Sequence, residues 1–117
     1  MIMTYQEANN ISIKDYLDSL GILPVVDKLY YGMYHSPFRQ DDTPSLKVDY
    51  GVNLWCDFGT GEGGSLIDLV MKQHSCNAYG AISRLEQGYY SILISYFIDL
   101  NYLLTTVQRN FLRHDLN

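Results

Sequence analysis

A glycine-rich segment, Gly59–Gly64, separates a strand-like stretch from a helix-like stretch in this chain. The preceding residues, Asn53–Phe58, are rich in strand-forming side chains, and apolar residues recur at helical spacing after Ser65. Ser65 itself is a residue type that caps helices well. Because glycine permits backbone turns that other residues resist, such a segment can bring a sheet and a helix close together. The feature therefore predicts a small domain that mixes strands and helices.

The preceding residues are consistent with that fold class. Residues 4–20 have helical spacing, with a break near Asn9 and Asn10, a fresh start at Ser12 and an expected end at Gly21. Strand-like composition then occupies three short stretches, which are Lys28–His35, Ser45–Asp49 and Asn53–Phe58. We therefore expect an α+β fold with a small antiparallel sheet of about three strands, flanked by N-terminal and C-terminal helices.

The C-terminal quarter of the chain has a different character. After a predicted helix at Asn77–Gln87, the segment Tyr89–Leu104 is apolar nearly all round, which is compatible with a buried helix or a strand. Asp99 and Asn101 interrupt it before the roughly 20 apolar residues that a membrane span needs. We expect one domain over residues 1–88, a helical extension over residues 89–117, no membrane association, and a possible homo-oligomer formed through that extension.

Charge and cysteine content limit the functions of the chain. Eight Lys and Arg residues against thirteen Asp and Glu residues give a formal net charge of −5, the wrong sign for holding a polyphosphate by charge alone. Any contact with nucleic acid must therefore be local, weak or shared with a partner. Two cysteines are too few for a disulfide framework, and no signal-like segment opens the chain, so we expect a cytoplasmic protein.

Three motifs occur in a fixed order. They are Ser36-Pro37-Phe38-Arg39, then Thr43-Pro44-Ser45-Leu46, then Trp55-Cys56-Asp57-Phe58-Gly59-Thr60-Gly61-Glu62-Gly63-Gly64-Ser65. Together they resemble the N-terminal zinc-binding domain of bacterial DnaG-type primases, which has Cys-Pro-Phe-His, Thr-Pro-Ser-Phe and Cys-Phe-Gly-Cys-Gly-x-Gly-Gly in the same order. The resemblance covers about residues 11–87. It implies a zinc-ribbon-like fold and a role in contacting single-stranded template.

The resemblance places the four zinc-ligand positions on Ser36, Arg39, Asp57 and Thr60. None of these is a thiolate or an imidazole, the groups that hold a structural zinc ion, so we expect no zinc and no other cofactor. Arg39 and Asp57 can instead form a charge-assisted hydrogen bond while Ser36 and Thr60 satisfy neighbouring amides. The alternative is that all four are surface polar residues on a fold held together by its apolar core.

Two surfaces are candidates for binding nucleic acid. The first contains Arg39, Lys47, Tyr31 and Lys28, where basic residues alternate with aromatic ones as in a stacking platform for unpaired bases. The second is an anion site at a helix N-terminus, formed by Gly61, Gly63, Gly64 and Ser65. Glu62 counts against strong binding there, and the glycines are better explained by a turn that brings the sheet and the helix close together.

The chain has no spacing typical of a nucleophile with its base, and in the primase family primer synthesis belongs to a separate polymerase domain. We therefore expect no enzymatic activity from this chain alone. The motifs favour an accessory module that contacts single-stranded DNA or a primase- or helicase-type replication protein. The substituted ligands and the net acidity favour the alternative, a protein-interaction or dimerisation module built on a degenerate ribbon.

Overall fold

The computed structural model describes the backbone of residues 3–116 and the side chains of residues 3–88 and 93–109. The chain divides into two compact units, Met1–Leu85 and Glu86–Asn117. The first unit contains a sheet with helices packed on it, and the second contains helix only. The α+β class expected from the sequence is confirmed.

The N-terminal helical region is split in two, as the sequence predicts. Helix α1 spans Tyr5–Asn9 and helix α2 spans Ile13–Ser19. The Ser12 hydroxyl caps α2 by accepting a hydrogen bond from the backbone amide of Asp15 at 3.1 Å. Past the end of α2, Gly21 adopts φ 76°, a left-handed conformation that favours glycine and stops the helix.

Five antiparallel strands form one sheet in the order β1-β2-β3-β4-β5. Their bounds are β1 Val26–Asp27, β2 Tyr31–Tyr34, β3 Leu46–Asp49, β4 Leu54–Asp57 and β5 Gly63–Gly64. The three central strands are those expected from composition, and the sequence-based estimate of about three missed the two edges. Each edge strand has only two residues, which is too short for a periodic pattern to reveal it.

The core lies between one face of the sheet and the helices. Helix α3 spans Leu66–His74, and helix α4 spans Ala78–Leu116. The side chains buried between these layers are Tyr34, Leu46, Val48 and Trp55 from the sheet, Ala8, Ile13 and Leu17 from α1 and α2, Leu66, Ile67, Leu69 and Val70 from α3, and Ala81, Ile82 and Leu85 from the start of α4. Alternate residues of a strand point to opposite faces of the sheet. Lys47, Leu54 and Cys56 therefore lie on the outer face, away from the core.

Asn53 ties the N-terminal helices to the sheet. It sits in the turn between β3 and β4 with φ 58°, and its side-chain amide donates to the carbonyls of Asn9 at 3.1 Å and Ile11 at 2.9 Å. Its side-chain oxygen accepts from the backbone amide of Ile13 at 2.8 Å. These bonds satisfy backbone groups at the break between α1 and α2, which fixes the position of that break against the hairpin.

Helix α4 continues well past Gln87, where the sequence predicted a helix to end. Gly88 does not interrupt it, so the strand alternative for Tyr89–Leu104 is wrong. By length and composition alone, the stretch Ala78–Arg109 of this helix could cross a membrane.

Candidate nucleic-acid interface

The outer face of the sheet presents a cation beside an aromatic ring. Register places Lys47 between Met33 and Cys56, and its ammonium nitrogen lies 5.0 Å from the centroid of the Tyr31 ring. At that distance the ring face attracts the cation, which holds Lys47 near the sheet surface. The lysine contributes a positive charge to a face that also carries an aromatic side chain.

A shallow hollow opens beside this pair. Its volume is about 360 Å³, and its lining includes Lys47, Leu54 and Phe58. The Phe58 side chain is 62% exposed and Leu54 is 47% exposed, so apolar surface is available there without rearrangement. Asp49 also lines the hollow, but its carboxylate accepts hydrogen bonds from the amides of the following turn. The lining therefore combines apolar side chains with one lysine ammonium and one aspartate carboxylate.

Lys28 stands at the same end of β2 as Tyr31. Its backbone amide donates to the Tyr31 carbonyl at 2.8 Å in the turn between β1 and β2, and its side chain is exposed. The structure thus places the side chains of Tyr31 and Lys47 in contact, and Lys28 lies in the turn beside Tyr31. Trp55 is 4% exposed and donates its indole N–H to the Ser65 carbonyl, so it belongs to the core.

The fourth residue predicted to bind nucleic acid, Arg39, lies in a polar cluster at the end of the sheet where strands β2 and β4 both end. Its guanidinium donates to both carboxylate oxygens of Asp57, with Nη2 3.0 Å from Oδ1. It also donates to the hydroxyls of Ser36 at 3.2 Å and Ser45 at 2.8 Å, and Asp41 lies 3.9 Å away. Two carboxylates therefore more than neutralise this arginine, which leaves little positive charge for a phosphate.

Asp57 is the buried centre of that cluster, with no exposed surface. Besides the two bonds from Arg39, its carboxylate accepts the backbone amide of Gly59 at 2.8 Å. The Arg39 hydrogen bonds hold the pKa of Asp57 below its ordinary value, against the opposing effect of burial, and the amides of Gly59 and Thr60 lower it further. The ionised carboxylate is thus the form that this part of the fold requires.

Ser36 and Thr60 complete the four positions that the resemblance assigns to zinc ligands. The Ser36 hydroxyl accepts from the Phe38 amide at 3.2 Å, and the Thr60 hydroxyl accepts from the Glu62 amide at 3.3 Å. A zinc ion would need thiolates or imidazoles here, whereas the four residues offer one carboxylate that is already bound to a guanidinium. Within the described residues no group of three or more His, Cys, Asp or Glu side chains could hold a metal ion. The donor set does not fit zinc.

The glycine segment is built into the sheet and the helix start. Gly63 and Gly64 form β5 against Trp55 and Cys56, and a β-carbon on Gly63 would lie 2.7 Å from the Trp55 carbonyl oxygen. At the start of α3 the Asp68 carboxylate accepts from the Ser65 amide at 2.9 Å. The backbone amide of Ile67, in the first turn of α3, donates to the Asn9 side chain. Gly61, earlier in the segment, has a left-handed φ of 76°.

An anion at this helix start would therefore compete with an internal carboxylate. Glu62, the acidic residue of the segment, is paired with Lys72, whose ammonium lies 2.7 Å from its carboxylate. The anion site of Gly61, Gly63, Gly64 and Ser65 stays a prediction, although the Ser65 amide already donates to Asp68 and the Gly61 amide to the Asp57 carbonyl.

A comparison with solved structures places this fold. The chain superimposes on the crystal structure of the Aquifex aeolicus primase (zinc-binding and RNA polymerase domains) with a TM-score of 0.62 and 27% sequence identity. This chain has a primase-like fold. The match covers 74% of this chain and 22% of the Aquifex chain, so it spans about a fifth of that protein's length. No family model and no curated protein sequence matches the chain.

Phe58 is an exposed aromatic residue of the outer face that the sequence motifs did not single out for binding. Phe58 follows β4 directly, and strand alternation from the buried Trp55 and Asp57 directs Leu54, Cys56 and Phe58 to the opposite side. That alternation was present in the sequence and would have identified Phe58 once the inward-facing residue of the strand was known. The ion pair of Arg39 with Asp57, in contrast, matches the hypothesis drawn from the substituted ligand positions.

Proposed function

We propose that this chain is a nucleic-acid-binding accessory module that holds single-stranded DNA on the outer face of its sheet. The observation that carries the proposal is the pairing of Lys47 with Tyr31 beside the exposed Phe58, on a primase-like fold. Flat aromatic side chains stack unpaired bases, and a neighbouring lysine attracts the phosphate that follows each base. Both groups are needed by a protein that grips a strand without reading its sequence.

The charge distribution supports a weak contact confined to this face. The whole chain carries a formal charge of −5, and the guanidinium of Arg39 is engaged by Asp57. Lys47 is a cation on the outer face, with the Asp49 carboxylate in the same hollow, and the exposed Lys28 lies in the neighbouring turn. A small number of phosphate contacts gives low affinity and a shallow salt dependence, a combination suited to a module that acts beside a second protein.

A replication protein of primase or helicase type is the partner that this proposal favours. The Aquifex structure contains an RNA polymerase domain, and the present chain spans 22% of that protein. We propose that catalysis resides in such a partner and that this chain contributes strand contact. The polar cluster around Arg39 and Asp57 would then maintain the ribbon fold without zinc, with no direct part in binding.

A salt titration of fluorescently labelled single-stranded DNA, followed by anisotropy, tests the proposal. Lys47→Ala should weaken binding several-fold and reduce the slope of log K against log salt by about 0.7 for each phosphate that the lysine neutralises. Phe58→Ala should weaken binding about five-fold or more, with the salt slope unchanged, because stacking involves no counterion.

Lys72→Ala is the matched control, since it removes the same charge from a lysine that is paired with Glu62 on the helix side. It should bind like the unaltered chain. The proposal fails if no salt-sensitive binding occurs at low salt, or if Lys47→Ala and Lys72→Ala change affinity equally.

A further inference from the structure

A continuous exposed stripe of large apolar side chains runs along helix α4, within the described stretch from residue 93 to residue 109. Its seven members are between 43% and 72% exposed, and six of them are more than half exposed. They are Leu93, Tyr96, Phe97, Leu100, Leu103, Leu104 and Val107. At 100° per residue these positions cover about a third of the helix circumference.

The spacing of the stripe is that of a coiled-coil seam. Five of its members, from Leu93 to Val107, follow one another in alternating steps of three and four residues, and Phe97 and Leu104 flank this line. The rest of the circumference is mixed, since it carries Ser95 and Asp99 together with the exposed Ile94, Ile98 and Tyr102. A three-four repeat packs its side chains into the gaps between those of another helix with the same repeat.

We propose that this stripe is covered by the same stripe of a second copy of the chain, so that the protein pairs through α4. A second copy has the same three-four repeat of large apolar side chains, so the two stripes can pack against each other. From residue 93 to residue 109 the only charged side chains are Asp99 and Arg109, both away from the seam, so two copies bring no like charges together there.

The exposed area is sufficient for such a pair. The seven side chains together expose on the order of 800 Å² of surface, which is what one partner of a standard protein interface buries. A patch of that size is larger than monomeric soluble proteins normally expose. When two identical stripes pack together, the apolar area of each stripe is removed from water.

The arrangement of polar residues favours a second copy over a lipid bilayer. Asp99 and Arg109 lie outside the stripe, and in hydrocarbon their charges would be costly. A bilayer surrounds the whole circumference of a spanning helix and does not require a three-four repeat. A coiled-coil partner covers only the stripe and leaves the Asp99 and Arg109 charges in water.

The mass of the full chain in solution, measured by light scattering across a dilution series, tests the proposal. The unaltered chain should have twice its monomer mass of 13.5 kDa and dissociate on dilution. Leu100→Ala with Leu103→Ala should raise the dissociation constant at least about tenfold, since two seam side chains are truncated. Alanine favours helix, so α4 should keep its circular dichroism signal.

Ile94→Ala with Ile98→Ala is the matched control, because both isoleucines are exposed on α4 and lie outside the stripe. This variant should pair like the unaltered chain, and the measurement needs no nucleic acid, so it is independent of the proposed function. A monomeric unaltered chain overturns the proposal, whether or not it floats with phosphatidylcholine vesicles. Equal effects of the two double variants also overturn it, since a bilayer or a non-specific aggregate would respond to both alike.

Discussion

The substitution Asp57→Asn tests whether the ion pair between Asp57 and Arg39 stabilises this end of the sheet. The asparagine keeps the volume of the side chain and removes its charge. The native carboxylate is fully buried and accepts two hydrogen bonds from Arg39 and others from the Gly59 and Thr60 amides. The substitution leaves donors that converge on a site with only one neutral acceptor oxygen.

The magnitude follows from those bonds. Removing one partner of a buried ion pair costs about 3–5 kcal/mol, and each buried donor left unsatisfied costs about 1–3 kcal/mol. The Arg39 side chain is 33% exposed and keeps Ser36 and Ser45 as acceptors, so water and these hydroxyls recover part of the loss. We expect Asp57→Asn to lower the free energy of unfolding by about 3 kcal/mol, near the lower end of that range.

Urea denaturation followed by circular dichroism measures this loss, and thermal unfolding should show a fall of about 15 °C in Tm. Asp42→Asn is the control, because it makes the same chemical change at an exposed position in the neighbouring loop, and its unfolding midpoint should not move. Adding Arg39→Gln to Asp57→Asn should cost less than the sum of the two single changes. A loss below about 1 kcal/mol, or strictly additive effects, would refute the claim that the ion pair holds this end of the sheet.

Three further outcomes are expected. A strong chelator should leave the unfolding temperature unchanged, and metal analysis of the purified protein should find less than one equivalent of zinc; stoichiometric zinc would contradict the assigned ligand positions. Because the pKa values of Asp57 and Asp41 are lowered in the folded state, their contribution to stability should be complete above the ordinary aspartate pKa of about 3.9 and lost as pH falls towards the folded-state values. Urea midpoints across that acid range check this, and Asp57→Asn should flatten the profile. Gly63→Ala should destabilise the protein by about 1–3 kcal/mol, since its β-carbon would meet the Trp55 carbonyl, while Gly61→Ala tests the separate cost of a left-handed residue.

Local signals identified most of the elements correctly. The Ser12 cap, the Gly21 stop and the three central strands depend on residues that are adjacent in the chain, so propensity and spacing were sufficient to find them. The end of the last predicted helix was wrong, since α4 continues past Gln87 and through Gly88. A glycine inside a helix costs only about 1 kcal/mol, and the flanking helix-forming residues outweigh it.

The sequence alone was enough for the three ordered motifs, the α+β class and the hypothesis that Arg39 pairs with Asp57. The folded chain was needed to show which atoms meet and what else surrounds them, because the partners are distant in the chain. The Arg39 guanidinium meets Asp57 across 18 positions, and the Ile67 amide at the start of α3 meets Asn9 across 58. The two-residue edge strands β1 and β5 likewise form only because they pair with the longer strands β2 and β4. A hydrogen bond between distant residues depends on the path of the whole chain, and no local pattern of side chains encodes that path.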